Sequence, residues 1–113
     1  MFELSVLPEI TLHPDYFNAV RVGSKRTTIR RGHRPGFGPA VLVNSENPKM
    51  TIEIDIHRVT LTTLEQLTDE EARADGFLSL GQLHTALQYH YPDITVADPV
   101  TIYKFIRTDR DGG

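Results

Sequence analysis

Thr51-Ile52-Glu53-Ile54-Asp55-Ile56-His57-Arg58-Val59-Thr60-Leu61 is the stretch on which the fold hinges. Ile52, Ile54 and Ile56 alternate with Glu53, Asp55 and His57, the period of two that sends every second side chain of a strand to one face. The apolar phase then moves to Val59 and Leu61. A one-residue slip inside a strand is the mark of a β-bulge, which bends a sheet and helps to curl it into a barrel. A long, bent, half-buried strand is therefore expected from Thr51 to Leu61.

Working outward toward the N-terminus, Ala40 to Val43 reads as a short apolar strand, joined to the bent one by the polar turn Asn44-Ser45-Glu46-Asn47-Pro48. Before it, Gly32-His33-Arg34-Pro35-Gly36-Phe37-Gly38-Pro39 holds three Gly and two Pro in eight residues, an irregular loop of the kind that can cover a site. Arg26 to Arg31 is β-branched and alternating, a strand with Thr28 and Arg30 on one face and Thr27 and Ile29 on the other, Ile29 marking the core side. A helix begins at Pro14, which loses no hydrogen bond at the first helical position. It buries Tyr16, Phe17 and Val20 and stops at Gly23. Leu4 to Leu12, interrupted by Pro8, reads as a short edge strand.

Toward the C-terminus, Thr68-Asp69-Glu70-Glu71 fits a capping box opening a short helix that ends near Asp75-Gly76. Ser79 caps a second helix with the apolar stripe Leu80, Leu83, Leu87, continuing to Tyr91 before Pro92. Val100 to Ile106 is apolar on both sides and reads as a central strand, with Arg107 to Gly113 a frayed tail. These elements predict an α+β fold, a small mixed β-barrel with flanking helices.

The 113 residues suit one domain over 1–113, with its core at about 14–106. Apolar content of 39% and charged content of 24% are those of a globular chain. The absence of cysteine excludes a thiol nucleophile, a thiolate metal site and a disulfide framework. Met1-Phe2-Glu3-Leu4 lacks the basic and apolar regions of a secretory signal, and no apolar run approaches a membrane span, so a cytoplasmic, non-membrane protein is expected, as a monomer. The five histidines have no metal-ligand spacing and no glycine-rich phosphate loop joins a strand to a helix, so neither metal nor other cofactor is expected.

Charge is distributed unevenly. Six of the twelve basic residues (Arg21, Lys25, Arg26, Arg30, Arg31, Arg34) fall between 21 and 34, and no acid occurs between Asp15 and Glu46. Seven acids lie between Glu53 and Asp75. With a net charge of −3, this favours a small, localised ligand over a long polyanion. Lys25, Thr28 and an acid, Asp75, form the candidate constellation. A neutral lysine can take the proton of a threonine hydroxyl, which by itself is too weak an acid to attack an amide. Free lysine titrates near about 10.4, so working as a base near neutrality costs roughly 4 kcal/mol. Arg26, Arg30 and burial push Lys25 that way, and a close carboxylate opposes them, so tight pairing to Asp75 suits the reactive state only if desolvation dominates.

Gly23-Ser24-Lys25-Arg26-Thr27-Thr28-Ile29-Arg30, then Leu67-Thr68-Asp69-Glu70-Glu71-Ala72-Arg73-Ala74-Asp75-Gly76-Phe77, then Tyr91-Pro92 and a last strand ending in Phe105, resemble in that order an ASCH domain. More closely, the chain resembles the small bacterial N4-acetylcytidine amidohydrolases of that superfamily, over about residues 14–106. The resemblance implies a PUA-like β-barrel and a lysine, a threonine and an acid that together hydrolyse the N4-acetyl amide of the modified nucleoside. Carried onto this chain, they fall on Lys25, Thr28 and Asp75. Lys25 would activate Thr28, or else water, and Asp75 would assist the departing nitrogen. Arg30 and Arg26 are the expected substrate-binding cations, and Phe77 and Tyr91, with Phe37 as a further candidate, the expected stacking rings. Two departures stand out: Asp75 is one methylene shorter than the family's glutamate, with Glu71 in reserve, and Gly38-Pro39 replaces a Gly-Asp turn. The alternatives are an RNA-binding module without catalysis and, behind it, a ribonuclease.

Overall fold

The computed structural model describes residues 7–33 and 36–108. The start of the expected Leu4–Leu12 strand, Arg34 and Pro35 of the loop, and positions 109–113 of the expected tail lie outside the described residues. The elements run β1 (Glu9–Leu12), α1 (Pro14–Arg21), β2 (Thr27–Arg31), β3 (Gly38–Asn44), β4 (Thr51–Thr63), a 3-10 turn (Leu64–Gln66), α2 (Asp69–Ala74), α3 (Leu80–His90) and β5 (Pro99–Arg107). The five strands form one sheet in the order β1-β3-β4-β5-β2. β1 is parallel to β3 and all other pairs are antiparallel, so the sheet is mixed.

The register break sits where the apolar phase changes. Ile56 faces Phe105 and Arg58 faces Lys104, which leaves His57 as the extra residue of a bulge. Before it Ile52, Ile54 and Ile56 are buried; after it Val59 packs on the same core, while Leu61 is 55% exposed and does not continue the buried phase. The bend curls the sheet into a half-barrel whose two edges, β1 and β2, are joined by a side chain rather than a ladder: Arg30 Nη2 donates to the Thr11 carbonyl at 2.7 Å.

Each face of the sheet carries a core. On one, Phe17 and Val20 of α1 pack on Leu42, Ile52, Ile54, Tyr103 and Phe105. On the other, Ala72 of α2 and Leu83 and Leu87 of α3 pack on Ile29, Val100 and Ile102. β5 feeds both cores, as its two-sided apolar pattern predicts, and extends one residue beyond the expected Val100–Ile106 at each end, to Pro99 and Arg107. Each of these large side chains contributes about 1.5–3 kcal/mol on burial. The α2 capping box forms as expected, with Thr68 Oγ1 accepting from Glu71 N at 3.1 Å and Glu71 Oε1 accepting from Thr68 N at 2.9 Å. Ser79 caps α3 by accepting from Gln82 N at 3.2 Å. Among the described residues no helix is long and apolar enough to cross a membrane.

Candidate active site

β2 is an edge strand with a core on either side, and this determines what its alternating side chains meet. Thr28, opposite Tyr103, lies on the face of the first core; Ile29, opposite Ile102, lies on the face of the second. Thr27 shares the face of Ile29, where the C-terminal end of α2 arrives. Arg26 N donates to Ala74 O at 2.7 Å, tying the start of β2 to that helix end. Asp75, the C-cap of α2, is thereby held beside β2.

Lys25 and Asp75 are 4% and 5% exposed. Lys25 Nζ donates to Asp75 Oδ1 at 2.9 Å and to the Asp75 carbonyl at 3.1 Å. Thr27 Oγ1 donates to the same Oδ1 at 2.9 Å. Burial pushes Lys25 below the ordinary lysine range, against the opposing charge and hydrogen bond of Asp75, with Arg30 adding to the fall. Burial also pushes Asp75 above the ordinary carboxylate range, against Lys25, Thr27 and Arg30. Desolvation thus outweighs a tight ion pair, and both shifts favour the uncharged forms.

Lys25, Thr28, Arg30 and Asp75 all line one cavity of about 470 Å³ at the seam between β1 and β2, a size typical of small-molecule sites. Thr28 is 3% exposed, and among the described residues its hydroxyl has no hydrogen-bond partner. The opposite wall is largely aromatic. Lys25 Nζ lies 5.4 Å from the centroid of the Tyr16 ring, a cation–π distance. Tyr16 meets the edge of Phe77 at 5.9 Å and that of His90 at 5.6 Å, and its hydroxyl is 3.1 Å from His90 Nε2. Burial raises the Tyr16 phenol, and burial followed by the charge of His13 lowers His90, which favours its neutral form. Phe77 and Tyr91 line the same cavity.

Other expected positions lie elsewhere. Arg26 is exposed and does not line the cavity; its backbone serves the site by fixing α2. Phe37 is 72% exposed and also lies outside it. Glu71 is held in the capping box at the far end of α2 and does not reach the cavity. No described residue of the Gly32–Pro39 loop lines the cavity: His33 Nε2 is 3.2 Å from Thr62 O, and a Cβ on Gly36 would stand 3.0 Å from the Tyr103 ring, so the loop follows β4 and β5. Sequence reasoning missed Thr27, Tyr16, His13 and His90. Parity puts Thr27 on the core side without naming its partner, the helix pattern puts Tyr16 in the core, and the spacing of the histidines speaks only against a metal site. Among the described residues no three His, Asp or Glu side chains gather in metal-ligand geometry.

An ASCH domain from Lactobacillus crispatus superposes with a TM-score of 0.68 at 18% identity, covering 82% of this chain and 70% of that one. The chain has the ASCH-domain fold. The ASCH protein of Zymomonas mobilis gives 0.64 at 19% identity over 91% and 73% of the two chains. A protein of Enterococcus faecalis gives 0.68 at 12% identity over 92% and 82%. No family model and no curated protein matches the sequence.

Proposed function

We propose that the protein hydrolyses the N4-acyl amide of N4-acetylcytidine-type nucleosides to cytidine and a carboxylate. The observation that carries this reading is the buried Lys25–Asp75 pair opening, with an unpartnered Thr28 hydroxyl, onto one aromatic-walled cavity. In the uncharged tautomer of the pair Lys25 is an amine and Asp75 a carboxylic acid. The amine's two N–H groups suit its two contacts with Asp75, and its lone pair is left for the cavity. The Thr28 proton passes to Lys25 as Oγ1 bonds to the acyl carbon, and the Asp75 proton passes to N4 as the C–N bond breaks. Cytidine leaves, with acyl-Thr28, an ammonium and a carboxylate remaining. Water then gives a proton to Asp75 as its oxygen attacks the acyl carbon, and Lys25 returns its proton to Thr28 Oγ1. The carboxylic acid is released and the tautomer restored.

Arg30 lines the cavity and suits the developing oxyanion or the base, and Tyr16, Phe77 and Tyr91 offer faces for the pyrimidine. RNA binding without catalysis draws on Arg21 and Arg26, which are exposed. The rest of the described cluster is engaged internally: Lys25 by Asp75, Arg30 by Thr11, and Arg31 by Asp93 and Asp98 at 2.8 and 3.3 Å. Release of cytidine from N4-acetylcytidine, followed by chromatography, tests the proposal. Turnover by the wild type, with none from Lys25→Ala or Thr28→Ala, is expected. Activity persisting in Thr28→Ala would make water the nucleophile, and salt-sensitive RNA binding without turnover would replace the proposal with the binding module.

A further inference from the structure

We propose that Thr27 is a positioning residue that selects which oxygen of the Asp75 carboxyl carries the proton delivered to the departing nitrogen; this rests on the hydrolytic reading above. Asp75 Oδ1 accepts two donors, Lys25 Nζ and Thr27 Oγ1, each at 2.9 Å. Among the described residues Oδ2 has no hydrogen-bond partner. A carboxyl oxygen has room for about two such donors, so a proton on Oδ1 displaces one of them, whereas a proton on Oδ2 displaces none. The acid's proton therefore sits on Oδ2, the oxygen left for the cavity, and Oδ1 remains the anchor.

Lys25 alone does not give this arrangement. With a single donor on Oδ1, the proton can lie between Oδ1 and Nζ, occupying the lone pair that must receive the Thr28 proton. The second donor closes that route. Thr27 is 3% exposed and does not line the cavity, so it acts on the reaction only through Asp75. It is rigidly placed, since Arg26 N is bonded to Ala74 O and Thr27 is in register with Lys104 of β5. The adjacent threonines thus divide the work by strand parity: Thr28 faces the substrate and Thr27 faces the acid.

In the step affected, the Asp75 Oδ2–H bond breaks as N4–H forms, and the electron pair of the acyl C–N bond goes to N4. The test compares Thr27→Val, which keeps the shape and removes the hydroxyl, with Thr27→Ser, which keeps the hydroxyl. With N4-acetylcytidine, the valine variant should lose about tenfold to a hundredfold in kcat at unchanged KM. With para-nitrophenyl acetate, whose leaving group departs as an anion needing no proton, the rate of its nitrophenolate burst, which reports the acylation step alone, should match the wild type. The serine variant should recover the first activity. Carbon NMR should show the Asp75 carboxyl titrating at higher pH in Thr27→Val, because the ionised form has lost a donor. Equal losses on both substrates, or wild-type kcat in the valine variant, would overturn the proposal. An unmoved Asp75 titration would overturn the anchoring itself, whatever the substrate. Absence of wild-type turnover of N4-acetylcytidine would instead remove the hydrolytic reading, a result the titration keeps separate.

Discussion

Lys25 donates two hydrogen bonds to Asp75 where both side chains are buried, and removing either partner strands the other. Lys25→Met leaves the buried Asp75 carboxyl with Thr27 as its remaining donor, which should cost about 1–3 kcal/mol at pH 7. The carboxyl's folded pKa, already raised, rises further. A group with a raised folded pKa contributes stability that is fully present below its unfolded value and is lost as pH rises through the folded one, so this variant recovers toward acid pH. Asp75→Asn leaves Lys25, whose folded pKa is lowered. Its contribution is present above the ordinary lysine value and lost as pH falls through the folded one, so this variant recovers toward alkaline pH. Urea unfolding at several pH values should show the two penalties shrinking in opposite directions; parallel, pH-independent penalties would contradict the desolvated pair. The same substitution of Asp75 removes the carboxylate that holds Lys25 up. It should shift the acid limb of kcat/KM to lower pH while kcat falls about a hundredfold to ten-thousandfold.

The element that delivers the acid is short, six residues from Asp69 to Ala74, and depends on its ends. Thr68→Ala breaks the capping box and should cost about 1 kcal/mol in thermal unfolding. At the other end Gly76 has φ +97°, and a Cβ there would stand 3.3 Å from the Lys25 Cβ. Gly76→Ala should cost about 1–2 kcal/mol in backbone strain and also lower kcat, since the added methyl presses on the base. Gly23 provides the control: its φ is +88°, but nothing lies within 4 Å of a Cβ there. Gly23→Ala should show a similar strain penalty with kcat unchanged. If both variants lost kcat equally, α1 and α2 would have to share the positioning of Lys25.

Across the whole molecule, the cavity exists because the curled sheet stops short of closing, leaving β1 and β2 as facing edges bridged by Arg30. Arg30→Ala removes both the bridge and a charge that lowers Lys25, so the acid limb of kcat/KM should move to higher pH. An unmoved limb would mean that Arg30 does not act electrostatically on the base. The chain is acidic overall, at −3, while its cavity holds a shielded lysine and one arginine. With an uncharged nucleoside, kcat/KM should be nearly constant between about 50 and 200 mM salt, whereas an RNA ligand would weaken steeply over that range.

Much of this architecture was legible in the chain because its causes are local. The phase change from Ile56 to Val59 marked the bulge, Thr68 with Glu71 the capping box, Gly23 the end of α1, and the apolar run of β5 its burial on two faces. Each depends on residues within a few positions of one another. The site followed a different rule. Resemblance pointed to Lys25, Thr28 and Asp75, but 50 residues separate Lys25 from its acid, and no periodicity reports that separation. Arg26 and Phe37 have suitable chemistry for the site, yet the paths of β2 and of the loop leave both outside the cavity, and Thr27 meets Asp75 only because α2 ends against it. The protonation balance of the pair was beyond sequence reading for the same reason: desolvation is set by every element packed around a group, so it exists only once the two cores have closed on β2.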